Sequence, residues 1–164
     1  MKKFILSIAL LLGFVATYAQ SEKTNGTIYI KHPYIDVVNK SSNAYQTKNI
    51  TEWTALYADT AKFSFSWSDK TISLKEEIKL FGLDYKFFDK ISVKTYGYPD
   101  YLHYVEEDSK VVQSWWTWSG TSKKTGKVIK VLFVMFDWFN ADGKIVLEST
   151  FGDFSKLNAE LGTK

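Results

Sequence analysis

The chain has 164 residues and a net charge of +3, and lysine supplies all 21 of its basic side chains. So small an excess of positive charge does not favour nucleic acid as a partner. The absence of arginine removes the planar group that binds carboxylates and phosphates through two hydrogen bonds. The chain also lacks cysteine, which excludes disulfides and a lipid anchor on a cysteine.

Residues 1–19 show the order of features found in secretory signals. Lys2 and Lys3 precede a short apolar run, residues 4–15, and the small residue Ala19 closes the segment. The apolar run is shorter than the roughly 20 residues that a membrane-spanning helix needs. We therefore predict cleavage after Ala19 and export to the periplasm or the extracellular space, without a membrane anchor.

The remainder of the chain is predicted to form one domain. Residues 20–33 are polar and rich in turn-forming residues, which favours a flexible leader. Residues 34–157 carry the periodic patterns of a folded domain, and residues 158–164 are expected to form a C-terminal tail.

Three helices are predicted in the first half of this domain. Apolar residues recur at helical spacing over residues 34–48. Asn49 and Glu52 are spaced as an N-cap and its return partner, and so are Ser73 and Glu76. Each of these two pairs is therefore expected to begin a helix.

Strands account for the rest of the domain. Apolar and polar residues alternate over residues 61–67, which is typical of a strand with one apolar face. Five further strands are expected from the same period of two, at 91–98, 101–107, 110–121, 128–139 and 144–152. Helices followed by a meander of antiparallel strands predict an α+β fold.

The strand over 128–139 is apolar on both of its faces. Neighbouring side chains of a strand point to opposite faces, so Asp137 shares a face with apolar residues only. That face holds Val131, Phe133, Met135 and Phe139, and the other holds Leu132, Val134, Phe136 and Trp138. Because the helices can cover only one face, we predict a homodimer formed through the other, outer face of the sheet.

The segment Ser114–Gly120, SWWTWSG, has the same two-faced pattern. Trp116 and Trp118 share one face of the strand, and Trp115 lies on the other. These tryptophans could form a stacking platform for a sugar or could serve packing on both sides. We favour packing, because large aromatic side chains commonly fill cores and interfaces.

Two segments of the chain resemble the nuclear transport factor 2-like superfamily, which includes the SnoaL-like polyketide cyclases and the ketosteroid isomerases. Residues 44–65, AYQTKNITEWTALYADTAKFSF, are similar to its helix–helix–strand beginning, and residues 137–153, DWFNADGKIVLESTFGD, to its closing hairpin. The resemblance spans residues 34–157. It implies a curved antiparallel sheet wrapped around the N-terminal helices, a cone-shaped, cystatin-like roll with a pocket inside and dimers formed through the outer face.

The catalytic residues of the isomerases do not carry over to this chain. In that pattern the base falls on Phe65, the oxyanion-stabilising acid on Met135 and the oxyanion tyrosine on Ser41. Phenylalanine and methionine cannot ionise, so the proton transfer of the ketosteroid isomerases is not expected here. The similar epoxide hydrolases rely on an arginine that this chain lacks. The cyclases use an aspartate near the end of the last strand, for which Asp153 is the nearest match.

Asp137, Glu148 and Asp153 are the candidate catalytic acids. If Met135 points inward as the resemblance implies, Asp137 does so too, and it is either desolvated, with a raised pKa, or hydrated at the rim. A two-residue turn would set Asp137 opposite Glu148. A three-residue turn would set it opposite Leu147 and bring Asp153 to the same face. The asparagine before the turn favours the second register.

Two functions from different classes remain open at this point. The first is an exported domain that binds a small apolar or aromatic molecule in an aromatic pocket. The alternative is a cofactor-free cyclase, isomerase or lyase that uses pocket carboxylates for proton transfer; a filled, purely structural dimer is a third possibility. No metal or cofactor is expected, because His32 and His103 belong to no cluster with ligand spacing. Candidate pocket residues are Tyr45, Trp53, Phe65, Trp67, His103, Phe133 and Met135.

Overall fold

The computed structural model describes residues 24–162. The predicted signal segment and its cleavage site lie outside the described residues, as do residues 20–23, 163 and 164. Among the described residues, no helix is long and apolar enough to cross a membrane.

Residues 24–162 form four helices and eight strands, which confirms the predicted α+β class. The helices are α1 (Pro33–Gln46), α2 (Ile50–Ala55), α3 (Leu74–Phe87) and α4 (Ser155–Leu161). The strands are β1 (Gly26–Tyr29), β2 (Tyr57–Phe65), β3 (Ser68–Ser73), β4 (Phe88–Thr95), β5 (Asp100–Tyr104), β6 (Ser109–Ser122), β7 (Val128–Phe139) and β8 (Ile145–Gly152).

The predicted helix starts are confirmed. At α2 the side chain of Asn49 accepts a hydrogen bond from the backbone N–H of Glu52 at 3.1 Å. At α3 the carboxylate of Glu76 accepts one from the backbone N–H of Ser73 at 2.8 Å, as expected of a capping box. Helix α1 begins at Pro33, one residue before the predicted start.

Three elements depart from the sequence-based expectation. Strand β1 lies within the expected flexible leader and pairs with β5. The polar strand β3 pairs with β2, and α4 crosses the expected domain end at residue 157. Strands β1 and β3 are short, so their pairing with neighbouring strands, rather than their own pattern, determines them.

The sheet is curved and does not close, and its strand order is β1-β5-β6-β7-β8-β2-β3, with β4 also paired to β6. The predicted hairpins β6–β7 and β7–β8 are antiparallel. Strand β2 runs parallel to β8 and is the one parallel partner within residues 24–162. This pairing brings the beginning of the domain beside its last long strand.

The hairpin β7–β8 has a different register from the one that we favoured. Asp137 lies opposite Glu148 and not opposite Leu147. The backbone N–H of Asn140 donates to the carbonyl of Lys144 at 3.0 Å, and that of Gly143, in the left-handed conformation, donates to the carbonyl of Asn140 at 3.1 Å. The predicted three-residue turn over 141–143 is therefore confirmed. A register shift follows at once on the turn, so the alternation continues with two carboxyl groups facing each other.

The helices cover one face of the sheet, which we call the inner face and which carries the buried residues Phe63, Trp116, Trp118, Val131 and Asp137. Side chains on the opposite, outer face are far more accessible. Leu132 is 56 % exposed and Phe151 is 50 % exposed. The core of the domain therefore lies between the inner face and the helices.

The inner tryptophans of β6 serve packing and hydrogen bonding, as predicted. Trp116 donates through its indole Nε1 to the hydroxyl of Ser114 at 2.7 Å. Trp118 donates to the hydroxyl of Tyr45 on α1 at 2.9 Å. Trp115 lies half-buried on the outer face. The cluster is therefore shared between the core and the outer surface of the sheet.

Candidate functional site

Two carboxyl groups face each other on the inner face, in the middle of the β7–β8 hairpin. Asp137 is 0 % exposed and Glu148 is 8 % exposed. As a carboxylate, Asp137 finds no hydrogen-bond donor for either of its oxygens. The negative charge of Glu148 acts on Asp137 from the facing position, which disfavours ionisation of both carboxyl groups together.

Tyr57, the first residue of β2, forms a hydrogen bond with one member of this carboxyl pair. Its hydroxyl donates to Glu148 Oε2 at 2.6 Å and lies 3.1 Å from the hydroxyl of Ser41 on α1. The parallel pairing of β2 with β8 makes this contact possible, because it brings the start of β2 beside the start of β8. Ser41, Tyr57 and Glu148 thus form a buried chain of hydrogen bonds, and Asp137 lies opposite Glu148 at its end.

The environment raises the pKa of both carboxyl groups. Burial, followed by the negative charge of Glu148, raises the pKa of Asp137 well above its usual range. Burial raises the pKa of Glu148 to about 7, although the hydrogen bond from Tyr57 opposes the shift. Burial and the charge of Glu148 also raise the pKa of Tyr57. The pair therefore retains a proton at neutral pH.

Helix α3 brings two more acids to the interior. Glu77, Phe81 and Asp84 are spaced at i, i+4 and i+7, so they share one face of the helix. Asp84 accepts a hydrogen bond from the hydroxyl of Tyr45 at 2.7 Å. Oxygen Oε2 of Glu77 is shielded from solvent and has no hydrogen-bond partner. Both acids are half-buried, so this part of the cluster reaches the protein surface.

The acids on α3 are electrostatically connected to the pair on the sheet. Burial raises the pKa of Glu77 to about 8, and the charges of Glu148 and Asp84 add to the shift. Burial raises the pKa of Asp84 to about 6, opposed by the hydrogen bond from Tyr45. The charges of Glu148 and Asp84 therefore both act on the carboxyl group of Glu77.

No basic side chain contributes to the pKa of these four acids. The described lysines are exposed apart from Lys110 and Lys144, which are half-buried. Lys110 binds Asp108 at 2.9 Å, and Lys144 donates to the backbone carbonyl of Ala55. The interior acids, which we call the acid cluster (Glu77, Asp84, Asp137 and Glu148), have no counterion within the described part of the chain.

Aromatic rings surround the acid cluster. The rings of Trp53 and Tyr57 lie 4.5 Å apart between centroids, and those of Trp53 and Phe81 lie 5.5 Å apart. Phe81 also meets Tyr45 edge to face at 5.1 Å, and Phe63 lies 5.2 Å from Tyr57. The interior thus combines acids with aromatic faces.

The predicted pocket residues lie in more than one place. Tyr45 and Trp53 border the acid cluster, and Met135 lies two residues before Asp137 on the same face. A second aromatic cluster lies toward the end of β8, where Phe154 joins three predicted residues, Phe65, Trp67 and Phe133.

Two predicted site residues lie on the surface, away from the acid cluster. His103 on β5 is partly exposed and lies 3.0 Å from Asp108. Asp153 is exposed and accepts a hydrogen bond from the backbone N–H of Ser155 at the start of α4. The register of the hairpin, with Glu148 rather than Leu147 opposite Asp137, separates Asp153 from the pair.

Sequence analysis did not identify Tyr57, Glu77 or Asp84 as members of this site. The signal for the two acids was present, since both lie at helical spacing from Phe81 on the apolar side of α3. Tyr57 stands at the start of a strand and carried no such signal. Its contact depends on the parallel pairing of β2 with β8, which brings Tyr57 to Glu148, 91 residues further along the chain.

An open groove of about 540 Å³ lies on the other side of Tyr57. It is lined by Ile50, Thr51, Thr54, Ala55, Tyr57, Asp59 and Lys144. Tyr57 thus contacts both the groove and the acid cluster. Within residues 24–162, no three His, Cys, Asp or Glu side chains are grouped closely enough to hold a metal ion.

A curved, unclosed sheet wrapped around helices, with polar groups on its inner face, defines the cone-shaped fold of the nuclear transport factor 2-like superfamily. Residues 38–148 match the family model of the SnoaL-like domain. The chain therefore belongs to the SnoaL-like domain family, as its sequence implied. No curated protein shows a significant match to the chain.

Solved structures from bacteria and a fungus share the fold. A protein with a ketosteroid isomerase-like fold from Catenulispora acidiphila DSM 44928, in complex with trimethylamine, is 15% identical, with a TM-score of 0.60 over 79% of this chain and 94% of its own. PrhC from Penicillium brasilianum NBRC 6234 is 10% identical, with a TM-score of 0.65 over 80% and 87%. IdmH from Streptomyces antibioticus, named a candidate polyketide cyclase, is 15% identical, with a TM-score of 0.62 over 80% and 100%.

Proposed function

We propose that the protein binds a small organic molecule with an apolar or aromatic body inside the cone, at the acid cluster. The observation that carries this proposal is the fully enclosed Asp137–Glu148 pair, which no cation compensates. Burial of unpaired carboxyl groups is costly, and apolar residues of the same size would give a more stable core. Groups that destabilise a fold in this way are typical of functional sites.

A neutral fluorescent probe, N-phenyl-1-naphthylamine, tests the binding site. We expect the purified protein to bind it, with a rise in probe fluorescence. The change Phe81→Leu should weaken binding, because Phe81 lies between the two acids of α3, whereas Tyr98→Leu, at an 83 % exposed residue, should not. A folded protein that does not bind the probe, or that binds it equally after Phe81→Leu, would contradict an interior site.

The shared proton of Asp137 and Glu148 favours a second candidate function, cofactor-free proton transfer of the kind used by cyclases, isomerases and lyases. Two carboxyl groups of raised pKa can act as acid and base at neutral pH, and Tyr57 can stabilise the ionised form of Glu148. The candidate cyclase IdmH has the same fold.

Hydrogen–deuterium exchange tests this candidate. Exchange at the carbon next to the carbonyl of a panel of cyclic ketones can be followed by NMR in heavy water. The wild type should accelerate exchange and Asp137→Asn should not, while Asp153→Asn, a change at the surface, should behave as the wild type. A wild type without effect would argue for binding alone.

We further propose that the protein is exported and cleaved after Ala19. The support is the basic, apolar and small-residue order of residues 1–19. Intact mass and N-terminal sequencing of the exported protein measure the cleavage site. Recovery of a mature chain that retains Met1 would contradict the proposal.

We also propose a homodimer formed through the outer face. Leu132 and Phe151 are at least half exposed there, and Trp115, Phe136 and Trp138 are half-buried on the single chain. An apolar face of this kind favours contact with a second surface. Light scattering should give about twice the mass of one chain, and Leu132→Lys should shift it to one chain. A soluble wild-type monomer at high concentration would contradict the dimer.

A further inference from the structure

We propose that the molecule bound inside the cone carries a protonated amine, whose N–H groups are held by the carboxyl groups of Asp137, Glu148 and Glu77. The inference deepens the proposed binding function and rests on it. It concerns the charge of the ligand, which neither the fold nor the family determines.

The charge around the Asp137–Glu148 pair favours a cationic ligand. Asp137 and Glu148 face each other on the inner face of the sheet, and the charge of Glu148 helps to raise the pKa of Glu77 on α3. No described lysine lies among these acids. An anionic ligand would meet only like charge at this site, because the chain has no arginine and no described lysine lies beside these acids. A cation is the one ligand charge that the interior attracts.

The unpartnered oxygens carry the second step. Asp137 is wholly enclosed and has no donor for either oxygen, and Oε2 of Glu77 is shielded without a donor. These atoms require N–H or O–H donors, and a hydrogen bond from a charged donor is stronger than one from a neutral donor. An ammonium group supplies several N–H donors together with the positive charge. A metal ion does not fit, since the described acids are not grouped at coordination distance.

The aromatic rings carry the third step. Trp53, Tyr57 and Phe81 lie next to the acids, with ring centroids about 5 Å apart. The face of an aromatic ring attracts a cation, and tryptophan does so most strongly. Rings of this kind also bind an apolar or aromatic body, so an arylalkyl or alkyl amine satisfies both parts of the site.

Binding of an amine should also change the protonation of the acid cluster. Glu148 and Glu77, with pKa values of about 7 and about 8, are partly protonated at pH 7. A bound cation lowers the pKa of neighbouring carboxyl groups. Protons should therefore leave the protein as the amine binds, and calorimetry in buffers of different ionisation enthalpy measures that release.

Three probes of nearly equal size separate charge from shape: benzylammonium, benzyl alcohol and benzoate. Titration of the purified protein at pH 7 should show benzylammonium binding about tenfold more tightly than benzyl alcohol, and benzoate more weakly than both. If benzyl alcohol binds as tightly as benzylammonium, the amine inference is wrong while the interior binding site stands. If none of the three binds at millimolar concentration and the neutral naphthylamine probe also fails, the binding function itself is wrong.

Two variants locate the charge preference. Asp137→Asn and Glu77→Gln each remove one unpartnered carboxylate and keep the shape, so each should reduce the preference for benzylammonium over benzyl alcohol and reduce proton release. Asp153→Asn removes the same charge from the surface and should leave both unchanged. Because neither interior variant adds bulk or charge, both should remain folded. A preference that survives both changes would place the amine elsewhere and overturn the inference.

Discussion

The two faces of β7 differ in their chemistry. On the inner face Asp137 is enclosed among apolar residues and faces a second acid, Glu148. On the outer face, the alternate positions from Leu132 to Trp138 hold apolar residues only. The outer face therefore resembles a surface prepared for packing, whereas the inner face contains ionisable groups that packing alone does not need. Substitutions on each face therefore test whether the two faces differ in packing and in ionisation.

The largest expected difference concerns packing. Phe63 is wholly buried on the inner face, so Phe63→Ala should lower the free energy of unfolding by about 3–5 kcal/mol. Phe151→Ala, on the outer face and half exposed, should cost about 1 kcal/mol or less in the monomer. Urea unfolding measures both. Equal losses would show that the outer face is as well packed as the core.

The second prediction concerns pH. The pKa of Glu148 is about 7 in the folded protein against 4.5 for a free glutamate, so the folded state binds the proton more tightly. For this group alone, stability should fall as pH rises from about 4.5 to about 7, by on the order of 3 kcal/mol, and Glu77, with a pKa of about 8, should continue the fall toward pH 8. Glu148→Gln should reduce the fall between pH 4.5 and 7.

The surface acid Asp153 provides the control for this pH experiment. Its hydrogen bonds to Ser155 lower its pKa, so it titrates below the window of Glu148. Asp153→Asn should therefore leave the fall of stability between pH 4.5 and 7 unchanged. A wild type whose stability is constant over this range would mean that the Asp137–Glu148 pair is hydrated.

A smaller effect is expected at Tyr57. The change Tyr57→Phe removes the donor to Glu148 and the contact with Ser41, and should cost about 1–3 kcal/mol at pH 7. It should also raise the pKa of Glu148 further, because the lost hydrogen bond lowers that pKa. Carboxyl chemical shifts measured against pH report this change. Tyr98→Phe, at an 83 % exposed residue, is the matched control and should change neither quantity.

The smallest effect is expected for a carboxylate on the surface. Asp108 contacts His103 at 3.0 Å and Lys110 at 2.9 Å, but it is exposed. Exposed ion pairs contribute little and are screened by salt, so Asp108→Asn should leave the urea midpoint within experimental error. A clear loss of stability would show that burial does not account for the contrast between the inner acids and this one.

Much of the fold followed from local pattern. The spacing of Asn49 with Glu52 and of Ser73 with Glu76 predicted two helix starts, and the period of two predicted both long hairpins. Short polar elements such as β1 and β3 were missed, because a strand without an apolar face is determined by its neighbour. The family resemblance supplied the cone, which periodicity alone does not specify.

The alternation of side chains along a strand is a local property, so the position of Asp137 on an apolar face followed from the residues of β7 alone. The partner of that carboxyl group depends instead on how distant parts of the chain pack. The turn at Asn140 and the shift that follows it set Glu148 opposite, and the parallel pairing of β2 brought Tyr57 to the same place. Register and the pairing of distant strands depend on the energy of the whole packed sheet, so no short stretch of the sequence specifies them.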